Sequence, residues 1–243
     1  MILLIDLKKI RIHAVIILLF CLITAIIIAQ GNGKKHTDVA VMAEAISTAP
    51  VLVIDAGHGG MDGGATAEDG TPESILNLEL AQRTRALASL FGLRTVMTRE
   101  SEDLNYPAEA DTIRAKKVWD QKSRVELINS TEGAILLSIH QNKYPDPRPS
   151  GIQVLYADTE GSDVFAELTH SNLSACFCPE SRRVAMPASK SIFLMKQVTC
   201  PAVLVECGFL SNPAEAKKLK NSSYQTALAT ALAASYLQYI NKI

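Results

Sequence analysis

Strands alternating with helices along the chain predict an α/β fold. It should be a twisted, largely parallel or mixed sheet with helices on both faces, forming one domain. Two observations carry this. Short apolar, β-branched runs recur at 51–54, 135–137 and 203–205, as in strands buried on both faces. Between them lie longer segments with apolar residues at helical spacing and recognisable starts and stops. The composition agrees, with 48% apolar and 20% charged residues.

The first strand, Val51–Asp55, runs into the glycine-rich turn Ala56-Gly57-His58-Gly59-Gly60, and 61–70 reads as loop. Thr71-Pro72-Glu73 is a helix start, with threonine at the cap, proline in the first turn and a carboxylate near the positive helix end. Leu76, Leu80, Leu87 and Leu90 give its apolar face, and Gly92 its stop. Arg94–Thr98 is a strand, and 111–130 a helix with Ile113, Val118, Val125 and Ile128 as core candidates. A second buried strand, Ala134–His140, precedes a loop at 141–150 with three prolines. Ile152–Tyr156 alternates as a strand, 161–175 reads as helix, and Ser191–Met195 as a weaker strand. The run at 201–206 is a strong strand, and helices at 213–220 and 223–240 close the chain.

The N-terminus differs from the rest. Lys8, Lys9 and Arg11 precede an uncharged apolar run from Ala14 to Ala29. That order is expected of a signal-anchor within residues 1–30, spanning about 12–29, with the chain beyond it outside the membrane. A cleaved signal peptide is the alternative. Residues 31–49, small and polar, read as a linker, leaving 50–243 for the folded domain. The net charge of -1 offers no basic field for nucleic acid. The scarce aromatics, 5% of residues, argue against a base-stacking platform. Cys176, Cys178 and Cys200 with His170 fit no usual zinc spacing, so buried free thiols are expected there.

Three of the best strands end in groups suited to metal chemistry. Val51–Asp55 runs out into His58, Ile135–Ile139 into His140, and Val203–Val205 into Glu206, while Glu73 begins the first helix. In a parallel sheet all four converge on one edge. Two histidines and a carboxylate are a ligand set for catalytic zinc, which polarises a carbonyl and acidifies water. A further carboxylate must then carry the proton to a leaving nitrogen. Singly, each residue has a plainer reading: a surface or core histidine, a dipole-complementing Glu73, an ion-paired Glu206.

These segments resemble the zinc-dependent N-acetylmuramoyl-L-alanine amidase family from about Val51 to Leu219. The resemblance rests on Ile54-Asp55-Ala56-Gly57-His58-Gly59-Gly60, Gly63-Gly64-Ala65, Glu73, Thr98-Arg99, Arg124–Asn129, Ser138-Ile139-His140-Gln141-Asn142 and Val205–Asn212, in that order. It implies one Zn2+ held by His58, Glu73 and His140, with Glu206 as general acid/base. It also implies cleavage between the lactyl group of N-acetylmuramic acid and L-alanine in peptidoglycan. Arg124 and Asn142 are expected to contact substrate. Ser74 and Cys207 depart from the family pattern, and Cys207 raises the question of a thiol–metal contact. The loop 142–151, the single domain and the anchor resemble the germination-specific amidases of spore formers. No wall-binding repeat accompanies the domain, so targeting would fall to the anchor or to an activating partner protein. The ligand set alone also allows a zinc peptidase acting on wall stem peptides, or a non-catalytic, membrane-tethered wall-binding module.

Overall fold

A computed structural model describes residues 50–243. The expected anchor and linker lie outside the described residues. Among the described residues no helix is long and apolar enough to cross a membrane.

Six strands form one mixed sheet: β1 (Val51–Ala56), β2 (Arg94–Met97), β3 (Ala134–Asn142), β4 (Gln153–Tyr156), β5 (Met186–Pro187) and β6 (Ala202–Phe209). Their order is β2-β1-β3-β6-β4-β5. β2, β1, β3 and β6 run parallel, whereas β4 runs antiparallel to β6. All six residues of β1 are buried, as its apolar run predicts.

Alternation along the strands sends side chains to two unequal cores. The larger gathers Leu52, Ile54, Leu137 and Val205 from the sheet. Against them pack α1 (Glu73–Leu90), α3 (Ser162–Phe177) and α6 (Ser222–Ile240). Phe165 of α3 stacks on Tyr239 of α6, ring centroids 4.9 Å apart, with both side chains buried. The smaller core holds Val53, Leu136 and Leu204, covered by Ile128 of α2 (Ile113–Ser130) and Leu194 and Met195 of α4 (Phe193–Gln197). A seven-residue helix, α5 (Pro213–Leu219), follows β6.

Several local expectations are corrected. Ser191–Met195 is not a strand: it turns into α4, and its buried residues cap the smaller core. A short apolar run does not by itself separate strand from helix. The edge strand is Met186–Pro187, where proline's missing donor does no harm. Pro72, not Thr71, is the N-cap of α1, and the Thr71 hydroxyl donates to Asp69. Ile113 and Val118 are 57% and 43% exposed rather than core. The buried stripe of α2 is Asp120, Arg124 and Ile128, at four-residue spacing. Val118 lies off that stripe and Ile113 is the first residue of the helix. Leu90, at the end of α1, is 81% exposed. The four cysteines among the described residues are free, but Cys176 is exposed and Cys200 only half-buried.

Phe165→Ala should therefore lower unfolding stability by about 3–5 kcal/mol, whereas Leu90→Gln should change it by less than about 0.5 kcal/mol. Chemical denaturation of the two variants checks this.

Candidate active site

β1, β3 and β6 are adjacent and parallel, so their carboxyl ends meet at one sheet edge. His140 and Glu206 are register partners there and share a face. His58 follows β1 in the left-handed region, at φ 62°. Such a conformation is unfavourable outside glycine and persists only where surroundings enforce it. Arg124 supplies that enforcement by donating through Nη2 to the His58 carbonyl and through Nη1 to the Ala56 carbonyl at 2.7 Å.

Glu73 reaches the same point from the first turn of α1. Its Oε2 lies 3.4 Å from His58 Nε2, and its Oε1 lies 3.0 Å from His140 Nδ1. The carboxylate also accepts from Ala65 N at 2.9 Å, Gln141 N at 3.0 Å and Asn77 Nδ2 at 3.1 Å. Two glycines permit this density. A Cβ on Gly57 would lie 2.2 Å from the His140 ring. One on Gly64, at φ 68°, would lie 2.6 Å from Glu73 Oε2. His58, Glu73 and His140 thus offer ligand atoms within 4.8 Å of one another, a group able to hold a metal ion.

Electrostatics favour a cation there. Burial opposes a charge on His58, but Asp62 and Glu73 outweigh it and raise its pKa to about 9. Burial pushes the Glu73 pKa upward, yet the two imidazoles more than reverse this and hold it well below the usual carboxylate range. Glu206 behaves oppositely. Burial pushes its carboxyl up, and its Oε2 is buried without a hydrogen-bond partner. A carboxyl so placed can carry a proton.

Beneath the site lies a buried ionic hub. Arg124 Nη1 is 2.8 Å from Asp55 Oδ1, and its Nε is 2.9 Å from Asp120 Oδ1. Ser138 and Thr98 hydroxyls also donate to Asp55, at 2.6 and 2.7 Å. Burial works against ionisation of Asp55, but Arg124 and the other partners outweigh it and hold its pKa at about 2. For Asp120, burial outweighs the same arginine, and its pKa rises. Arg124, expected to contact substrate, thus has four of its five N–H groups engaged by protein. Its evident work is positioning. Asn142 stands two residues beyond His140, where its amide donates to Gln153 Oε1 at 2.6 Å. Cys207 points into the larger core, on the face opposite Glu206, and is outside the metal-ligand group.

A cleft of about 250 Å3 opens over this edge, between His58, His140 and Glu206 on one wall and Ile192, Phe193 and Leu194 on the other. Sequence reasoning did not find that second wall, because the turn before α4 carries no residue whose chemistry marks it. Asp62 was also missed; its Oδ2 lies 3.1 Å from His58 Nδ1 and orients the ring.

A parallel-edged α/β sheet that gathers two imidazoles, a ligand-type carboxylate and a further carboxyl with a buried, unpartnered oxygen at its strand ends is an arrangement suited to hydrolysis. The match to the N-acetylmuramoyl-L-alanine amidase family model over residues 52–237 is specific, and the chain belongs to that family. It is 33% identical over 193 residues to the germination-specific N-acetylmuramoyl-L-alanine amidase of Bacillus subtilis, covering 79% of this chain and 80% of that protein. It is 28% identical to the amidase LytC of the same organism, over 74% of this chain and 34% of LytC. Among solved structures, the CwlD amidase of Clostridioides difficile, in complex with the GerS lipoprotein, superposes with a TM-score of 0.76 at 31% identity. That match covers 80% of this chain and all of the other.

The hub yields a prediction of pH dependence. The depressed Asp55 pKa contributes stability that is present above the unfolded value near pH 4 and is lost as pH falls through about 2. Asp55→Asn should flatten the stability profile between pH 4 and 2 by about 2 kcal/mol. Arg124→Met, which strands buried carboxylates, should cost about 3–5 kcal/mol at neutral pH. Denaturant unfolding across pH measures both.

Proposed function

We propose that this chain hydrolyses the amide between N-acetylmuramic acid and L-alanine in peptidoglycan, using one zinc ion held by His58, Glu73 and His140. The observation that carries the reading is the pairing of that three-donor cluster with Glu206 beside it, whose Oε2 is buried and unpartnered. The donor set suits zinc in type and spacing. Donors on a tetrahedral zinc stand roughly 3.3 Å apart, close to the 3.4 Å between His58 Nε2 and Glu73 Oε2. When bound, zinc supplies the Lewis acidity that polarises the scissile carbonyl and acidifies a water molecule.

The chain's own residues do the rest. Glu206 takes the proton of the attacking water on its carboxylate as the oxygen adds to the lactyl carbonyl carbon. It then delivers that proton to the alanine nitrogen as the C–N bond breaks, so a neutral amine leaves. Burial, which raises its pKa, suits Glu206 to both halves of the transfer. Arg124 and Asp62 hold His58 in place, and Gln141 N and Asn77 fix the Glu73 carboxylate.

The reading extends to place and partners. The basic flank and apolar run at the N-terminus support an anchor in the cell membrane, with the amidase on its outer side. Likeness to a germination-specific amidase supports spore-cortex peptidoglycan as the substrate. Likeness to an amidase solved with a lipoprotein supports work alongside an exported partner protein.

The full chain, supplied with zinc and peptidoglycan, should release peptides beginning with alanine, read by mass spectrometry. Products cut between amino acids would indicate a peptidase instead. Glu206→Gln should keep the metal, measured by elemental analysis, and lose about 10²–10⁴-fold in turnover. His140→Ala should lose the metal itself. A Glu206→Gln variant with full activity would overturn the assignment.

A further inference from the structure

The row of residues across the sheet edge does not stop at Glu206. Gln153, the first residue of β4, is the register partner of Glu206 on its other side, so both side chains share a face. His140, Glu206 and Gln153 therefore form a line over three neighbouring strands, roughly 10 Å long at about 4.8 Å per strand. The Asn142 and Gln153 amides, hydrogen-bonded to each other, wall a second pocket of about 390 Å3 at the far end of that line. Tyr144, Pro149, Phe209 and Arg183 complete it.

Arg183 is the unusual member. Its guanidinium lies over the Phe209 ring, 5.5 Å from the centroid, and Nη1 donates to the Ser150 carbonyl. The side chain is half-buried, yet among the described residues no ion pair joins it to a carboxylate. Arginine held in this way presents a planar fork suited to a carboxylate. A neighbouring pocket, sharing Arg183 and Pro149, adds Arg182, Glu180 and Arg148, the last paired with Asp146. Beyond His58, the opposite end of the line carries the side chains of Asp62 and Asp120 instead.

We propose that this second pocket is the subsite for the stem peptide, in which Arg183 binds a free carboxylate on a residue beyond the L-alanine. The inference rests on the amidase reading and deepens it. An extended peptide advances about 3.3–3.6 Å per residue. A chain leaving a scissile amide set between His140 and Glu206 thus reaches Gln153 in about two residues, where the Arg183 side chain faces the same pocket. The Asn142 and Gln153 amides offer the donor and acceptor that an extended backbone needs. Arg183 fixes the direction: Asp62 and Asp120 at the other end are already paired with Lys117 and Arg124, so the anionic peptide lies towards Arg183 and the uncharged sugar away from it.

The test uses the zinc-loaded full chain and two muropeptides, one with a free carboxylate on the second stem residue and one with that carboxylate amidated. The native chain should favour the free acid by about tenfold in KM with similar kcat, the effect of one partly exposed charge-assisted contact. Arg183→Gln should raise KM for the acid about tenfold, leave kcat within about twofold, and abolish the preference. Arg183→Lys should restore part of it. Calorimetric titration with the released acidic peptide should show the same loss of affinity, independently of turnover. Equal use of both muropeptides by the native chain, or a preference that survives in Arg183→Gln, would overturn the subsite and leave the amidase reading intact. Release from neither muropeptide would defeat the amidase reading and the subsite with it.

Discussion

The carboxylate of Glu73 is the point on which the site's geometry depends. One oxygen faces His58 and the other faces His140, and three nitrogens of the chain donate to the pair. Two imidazoles delivered by different strands are thus held at one spot by a group from a helix on the opposite face of the sheet. The arrangement needs close backbone approach, and Gly57 and Gly64 stand where any larger residue would collide with His140 or Glu73. Asn77 makes the connection doubly. It donates to Glu73 and also to the Gly57 carbonyl, so the loop bearing His58 and the helix bearing Glu73 move as one piece.

Beneath this tether lies a second constraint of opposite sign. Asp55, Asp120 and Arg124 are buried charges whose desolvation is costly, and mutual pairing is what makes their burial tolerable. Elsewhere, well-packed apolar residues often replace such pairs without loss of stability. What the ionic hub adds is direction. Arg124 grips the carbonyls of Ala56 and His58 and so imposes the left-handed turn that aims the imidazole. The strained backbone at His58 and the buried arginine belong to one device: the first is sustained by the second.

Much of this was legible in the sequence, for a physical reason. His58, His140 and Glu206 each follow an apolar run, and such runs become central strands whose ends coincide in a parallel sheet. Glu73 could be located because a helix start has its own residue signature. The role of Arg124 was not legible. Its place on α2 marks a buried stripe only when one knows that the stripe begins with Asp120, and a charged stripe gives no hydrophobic period to detect. Ile113 and Val118 misled for the same reason, being the apolar residues of a helix whose inward face is partly ionic. The cleft wall at Ile192–Leu194 and the arginine at 183 belong to irregular segments, where spacing carries no information about which side chains meet.

The reversal of β4 explains why the site is asymmetric. Strands β1, β3 and β6 all end at the catalytic edge, so their outgoing loops crowd it with His58, Asp62 and the residues after His140. β4 runs the other way and begins there, so Gln153 enters the row at its first residue, preceded by the proline-bearing loop that holds Pro149 and Ser150. The loop after α3 then bends back to set Arg183 against Ser150 and Phe209. A sheet parallel throughout would place the start of its fourth strand at the far edge and leave this end of the row open. The single antiparallel strand thus gives the edge two unlike halves, one carboxylate-rich around His58, Glu73 and His140 and one carrying arginine beyond Glu206. On the proposed reading, a substrate with an uncharged half and an anionic half would lie one way across such a row, with its scissile bond over His140 and Glu206.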